Sequence, residues 1–110
     1  MSVEKCKEVI RELRNVVEDV ESLIYNLPPN PELYDTVYEH LRKLEDEYEK
    51  SCIDVLSRSS LVWGSQVINK LKDYLKNLGA YAYHRNRILE DFNITVKKAI
   101  LMIIQEMIRK

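Results

Sequence analysis

Glycine occurs twice and proline three times in the 110 residues of this chain. Tight β-hairpin turns depend on those residues, so their scarcity favours helices joined by few loops. The two glycines, Gly64 and Gly79, are isolated and cannot build a phosphate-cradling loop. Histidine is also scarce. His40 and His84 stand far apart, and neither follows a glutamate by three residues as a ferritin-like di-iron site requires. The only two cysteines, Cys6 and Cys52, form neither a CxxC pair nor a Cys/His group of the kind that binds zinc. The most apolar run, Ala99 to Ile104, falls far below the roughly 18 residues of a membrane span. The opening stretch "MSVEKCKEV" scatters charge where a secretory signal would carry an apolar core. These absences lead us to expect a cytoplasmic protein that is not an enzyme, with no membrane association, cofactor or metal.

What is present is the material of one folded domain spanning residues 1–110. Apolar residues make up 45% of the chain and charged residues 32%, the balance of a folded chain rather than a disordered one. The length suffices for a single core and not for two. From Val3 the apolar positions run Val3, Cys6, Ile10, Leu13, Val17, Val20, Ile24 and Leu27, an alternation of three and four that lays a stripe along one helix face. "NLPPNPE" ends that helix, with Asn30, Pro31 and Glu32 reading as cap, first position and first-turn acid of the next. The second helix carries Tyr34, Val37, Tyr38, Leu41, Leu44, Tyr48, Cys52 and Val55 on one face.

Folding the two helices back on each other about Pro28 to Asn30 pairs nearly every stripe position. Val3 meets Val55, Cys6 meets Cys52, Ile10 meets Tyr48, Val17 meets Leu41, Val20 meets Tyr38 and Ile24 meets Tyr34. The register sets the two cysteines opposite each other, either as two small buried thiols or as a disulfide closing the open end of the hairpin. A disulfide in a cytosolic protein would point to a hyperthermophilic host, and the abundance of Ile, Glu, Lys and Tyr agrees with a thermophile.

A third helix is expected from "SRSS", capped by Ser59 or Ser60, with Leu61, Val67, Ile68, Leu71, Tyr74, Leu75 and Leu78 inward. Gly64 falls on that stripe and implies a close helix crossing or a kink. The alternation survives Gly79, through Ala82, Arg85, Leu89 and Phe92, so the helix is expected to bend there and run on, with Arg85 in a seam where it needs a carboxylate. Gly79 is alternatively a natural helix stop. A fourth helix is expected from "NIT", capped by Asn93 or Thr95. Leu101 and Met102 widen its apolar face almost all round. The fold class is all-α: an antiparallel helical hairpin plus two further helices forming a four-helix bundle.

The net charge of −1 hides an asymmetry. Residues 1–58 carry 8 Lys and Arg against 14 Asp and Glu, a net −6, whereas residues 59–110 carry 9 against 4, a net +5. Either the halves complement each other, within one molecule or across a dimer, or the basic half faces nucleic acid. For the second case the phosphate contacts would be Lys70, Lys72, Lys76, Arg85, Arg87, Lys97 and Lys98, with Tyr81 or Tyr83 stacking on bases. The same residues would equally serve a protein partner, for which Tyr and Arg are favoured anchors. Leu101, Ile104 and Ile108 are the candidate subunit interface.

"RNRILEDFNI" resembles the RN-x-x-x-H segment of HEPN ribonuclease domains, which are also helical bundles. The resemblance puts Arg85 and Asn86 on the first two positions and Glu90 on the histidine position, so it implies at most a catalytically degenerate relative. The function expected from the residues themselves is a non-enzymatic interaction or assembly module, self-associating or binding another protein, with nucleic-acid binding as the alternative.

Overall fold

The computed structural model describes residues 2–26, 30–78 and 84–110. It is all-α, with no strand among the described residues. Helix α1 spans Ser2–Tyr25, α2 Pro31–Cys52 and α3 Arg58–Lys76. Helix α4, Arg85–Phe92, passes through a π-helical turn, Asn93–Lys97, directly into α5, Lys98–Ile108. Helix α1 packs against α2, α2 against α3, and α3 against α5, while α1 also touches α4 and α5. The buried apolar residues of all these elements form one cluster. The turn about Pro28 and the stop at Gly79 lie outside the described residues.

Local chemistry sets the starts. Asn30 Oδ1 accepts from the backbone N–H of Glu32 at 2.9 Å and of Leu33 at 3.3 Å, and Pro31 takes the first helical position. Together they satisfy the orphan donors of α2. Ser57, not Ser59 or Ser60, caps α3: its hydroxyl accepts from the Ser60 N–H at 3.2 Å. Val55 lies just beyond the end of α2 and is still buried.

Cys6 and Cys52 are joined as a disulfide, with Cα atoms 4.9 Å apart. That link fixes the register of α1 on α2 at the level expected. Ile10, Val17, Leu41 and Tyr48 are buried as the pairing requires, but Tyr38 is exposed. Its ring stacks nearly parallel to that of Tyr34, which is partly buried against the core, with centroids 6.3 Å apart.

The expected continuation of α3 to Phe92 is not what forms. Helix α3 ends at Lys76, where the Asn77 amide donates back to the Asp73 carbonyl at 2.9 Å and closes the last turn. A separate helix begins at Arg85. Nor does a helix begin at Asn93 or Thr95. With no glycine or proline between Arg85 and Ile108, the inward series Leu89, Phe92, Val96, Ile100, Ile103 and Met107 holds one helix across those cap-type residues. Thr95 satisfies its hydroxyl on the Asp91 carbonyl at 2.8 Å inside the helix. The single π turn absorbs the four-residue steps from Phe92 to Val96 to Ile100.

Gly64 marks a close crossing, as its place on the stripe suggests. A methyl group there would overlap the ring and hydroxyl of Tyr48. Overpacking of this kind costs about 1–3 kcal/mol, against a helix-propensity gain of about 1 kcal/mol for alanine. Gly64→Ala is therefore expected to lower the urea midpoint, and to do so less in a Tyr48→Ala background. Reduction of the disulfide should raise the intact mass by about 2 Da. It should also remove about 4 kcal/mol of stability, the loop-closure value for a sequence separation of 46. Mass spectrometry and urea unfolding with and without reductant check both.

Candidate functional site

Ser57, Ser60 and Glu106 form the densest polar cluster in the molecule's described part. The Glu106 carboxylate accepts from the Ser57 N–H at 2.6 Å, the Ser57 hydroxyl at 2.7 Å and the Ser60 hydroxyl at 2.6 Å. A carboxylate from α5 thus sits on the N-terminus of α3, where the helix dipole favours an anion. Burial alone pushes the Glu106 carboxyl up. The hydrogen bonds from Ser60 and Ser57, with the charge of Lys110, outweigh that and hold it below the ordinary carboxylate range. The Ser60 carbonyl in turn accepts from the Tyr48 hydroxyl at 2.7 Å. Burial raises the Tyr48 pKa, and the Glu106 charge adds to the effect. Nothing in this cluster is an activated nucleophile: its serines donate to a carboxylate that no histidine accompanies. It is a polar clasp between α2, α3 and α5.

A second cluster joins α3 to α4. Asp91 accepts from the Tyr74 hydroxyl and lies 3.3 Å from Lys70 Nζ, which also stands 5.7 Å from the centroid of the Tyr74 ring. The Tyr74 hydrogen bond is the main cause of a lowered Asp91 pKa; burial opposes it and Lys70 reinforces it. Among the described residues no three His, Cys, Asp or Glu side chains converge as metal ligands. His40 faces Glu12 at 3.8 Å on the surface.

The candidate phosphate-binding residues do not share one environment. Lys70 pairs with Asp91, Lys72 with Glu45 at 2.7 Å and Lys97 with Glu21 at 3.0 Å. The last two bonds cross from the basic half of the sequence to the acidic half. Lys76, Arg87 and Lys98 are exposed and form no ion pair among the described residues. Arg85 is not in a seam and pairs with no carboxylate among the described residues. It is exposed, and its Nη1 donates to the Tyr25 carbonyl at 2.9 Å, satisfying an orphan acceptor at the end of α1. Tyr81 and Tyr83 lie outside the described residues.

Of two tyrosines that sequence periodicity placed in the core, Tyr34 packs partly buried against it and Tyr38 is exposed. Tyr34 and Tyr38 line one edge of an open groove, with Asn69, Lys72, Asp73 and Lys76 on the other. Asp35 and Asp73 offset the two lysines there, so the groove carries no net cationic field.

The candidate interface residues are grouped. Leu101 is 54% exposed and Ile108 78%, with Ile104 partly buried between them on the same helix face. No helix among the described residues is long and apolar enough to cross a membrane. The chain matches no protein-family model, no curated protein and no solved structure.

The sign of the Glu106 shift gives a pH prediction. A carboxyl whose folded pKa is depressed adds stability that is present above its unfolded value and is lost as pH falls through the folded one. Glu106→Gln should therefore be destabilising at pH 7. The gap between variant and parent should narrow as pH falls below the ordinary carboxylate range, read as urea midpoints across pH.

Proposed function

We propose that this chain is a small four-helix bundle acting without catalysis as an assembly module, joining copies of itself through the outer face of α5. The observation that carries the reading is the row Leu101, Ile104 and Ile108. Two of its three side chains stand largely in water on a helix whose opposite side, Ile100, Ile103 and Met107, is already core. Isolated exposed leucines mean nothing, but apolar residues grouped on one helix face mark a contact surface. Met102 and, one π turn earlier, Ile94 extend the apolar surface. Ser57, Ser60 and Glu106 are tied into one clasp, Tyr74 and Asp91 into another, and His40 into a surface pair with Glu12, which supports a non-enzymatic reading. A cytoplasmic setting in a thermophile is the one in which a buried disulfide and a cytosolic address are compatible.

Nucleic-acid binding through the basic half is the second reading, and Lys76, Arg87 and Lys98 support it, being exposed without a carboxylate partner among the described residues. Against it, Lys70, Lys72 and Lys97 are held by carboxylates. The degenerate ribonuclease reading has little behind it, since the guanidinium of Arg85 is engaged by a backbone carbonyl.

Light scattering of the full chain over a concentration series tests the first reading. We expect a mass above that of one chain, falling to the 13.1 kDa monomer in Ile104→Glu with helicity unchanged by circular dichroism. A strict monomer at all concentrations would reject it. A titration with labelled DNA and RNA separates the second reading: it requires affinity that drops steeply with salt and weakens in Arg87→Ala and Lys98→Ala.

A further inference from the structure

Neither half of the Cys6–Cys52 disulfide has any exposed surface. A reductant must reach one of the two sulfurs to break the bond, so a buried disulfide reacts only when something covering it moves. Helices α1 and α2 cannot part at this level, because the bond itself holds them together. The cover that can move comes from two other places. Met107 of α5 is buried against Cys6, its Sδ 4.0 Å from Cys6 Sγ. After α2 the chain turns back over Cys52: the N–H groups of Val55 and Leu56 donate to the Cys52 carbonyl at 3.0 and 2.9 Å, and both side chains join the buried cluster that contains the two cysteines.

The two covers are fastened to each other by one side chain. Glu106 precedes Met107, and Ser57 follows Leu56. The Glu106 carboxylate accepts from the Ser57 N–H and hydroxyl and from the Ser60 hydroxyl, so it ties α5 both to the segment after α2 and to the start of α3. While these bonds hold, Met107 stays over Cys6, and Val55 and Leu56 stay beside Cys52.

We infer that the Glu106 clasp is a latch on the disulfide: Cys6–Cys52 is reduced through local release of α5 from Ser57 and Ser60, not through unfolding of the whole chain. The latch keeps the cross-link oxidised among reducing thiols by denying them access. Opening that begins at the far end of α1 leaves both covers in place and does not expose the bond.

Reduction of the full chain by a water-soluble trialkylphosphine, at pH 7 and without denaturant, tests the inference. The phosphine attacks one sulfur, the S–S bond breaks, and the other sulfur leaves as a thiolate that takes a proton from water. Water then cleaves the phosphorus–sulfur bond, giving the second thiol and the phosphine oxide, so two electrons pass from phosphorus to the sulfur pair. Thiols trapped with iodoacetamide and counted by mass give the rate. Glu106→Gln removes the charge and at least one serine hydrogen bond, and should speed reduction by about tenfold or more, as expected for a lost hydrogen bond to a charged group. The control is Ile24, fully buried near the far end of α1. Whichever of Ile24→Val and Ile24→Ala matches Glu106→Gln in urea midpoint should be reduced at the parent rate. Equal acceleration by the matched pair would mean reduction by global unfolding and would overturn the inference, as would a parent rate in Glu106→Gln. If Glu106→Gln does not fold, Ser57→Ala, at an exposed position, loses one hydroxyl bond to Glu106 and is read by the same comparison.

Discussion

The approach of Tyr48 to Gly64 sets the distance between α2 and α3, and the polar contacts at that end of the molecule depend on it. Only a residue without a side chain lets the Tyr48 ring this near the α3 backbone. That approach carries the phenol to the Ser60 carbonyl. Ser60 is then fully buried, and its hydroxyl must find a partner, which Glu106 supplies. Glu106 in turn fixes the last turns of α5 against the start of α3. One tyrosine facing one glycine thus aligns α2, α3 and α5, while the Cys6–Cys52 link aligns α1 with α2 at the same end.

The opposed charges of the two halves take part in the fold without holding it together. Lys72 and Glu45, and Lys97 and Glu21, join basic and acidic halves across helix pairs, but these lysines are nearly half exposed, where such pairs contribute little. Their effect is on where free charge remains. Arg14 pairs with Glu18 one turn along α1 at 3.8 Å, whereas Lys7 and Arg11, inside the nominally acidic half, form no ion pair among the described residues. Halving the sequence therefore gave a poor map of the surface field, because helix packing interleaves the halves.

Periodicity was enough to read the all-α class, the α1/α2 register through the cysteines, and the close crossing at Gly64. Each is a local pattern repeated over many residues, or a residue type with one dominant physical use. The break after Lys76 was legible only as one of two alternatives, because the apolar alternation runs on past it while Gly79 also reads as a stop. The continuous helix through Asn93 and Thr95 was not legible, since tertiary burial of Leu89, Phe92 and Val96 overrides local cap preference. Arg85 was misread for the same reason: its true partner, the Tyr25 carbonyl, exists only once α1 ends beside α4. The clasp of Ser57 and Ser60 on Glu106 spans more than forty residues, and its only trace in the sequence is an acid in a basic segment. Tyr34 and Tyr38 fit the inward stripe as well as any core residue, and nothing in spacing alone puts Tyr38 outside.

The disulfide, the Tyr48 contact and the Glu106 clasp all lie toward one end, and this gives the molecule a direction of yielding. Helices α1 and α3 finish and α2 and α4 start toward the other end, where α1 is held by side-chain packing and by the Arg85 bond to Tyr25. Partial opening that starts there can advance along the helices until it meets the cross-linked layer, and amides near Cys6, Cys52 and Ser60 would exchange last. Because the covalent link survives opening, α1 and α2 never lose their alignment. Refolding then needs no search for their register, only the return of α3 and α4 onto a hairpin that is already indexed.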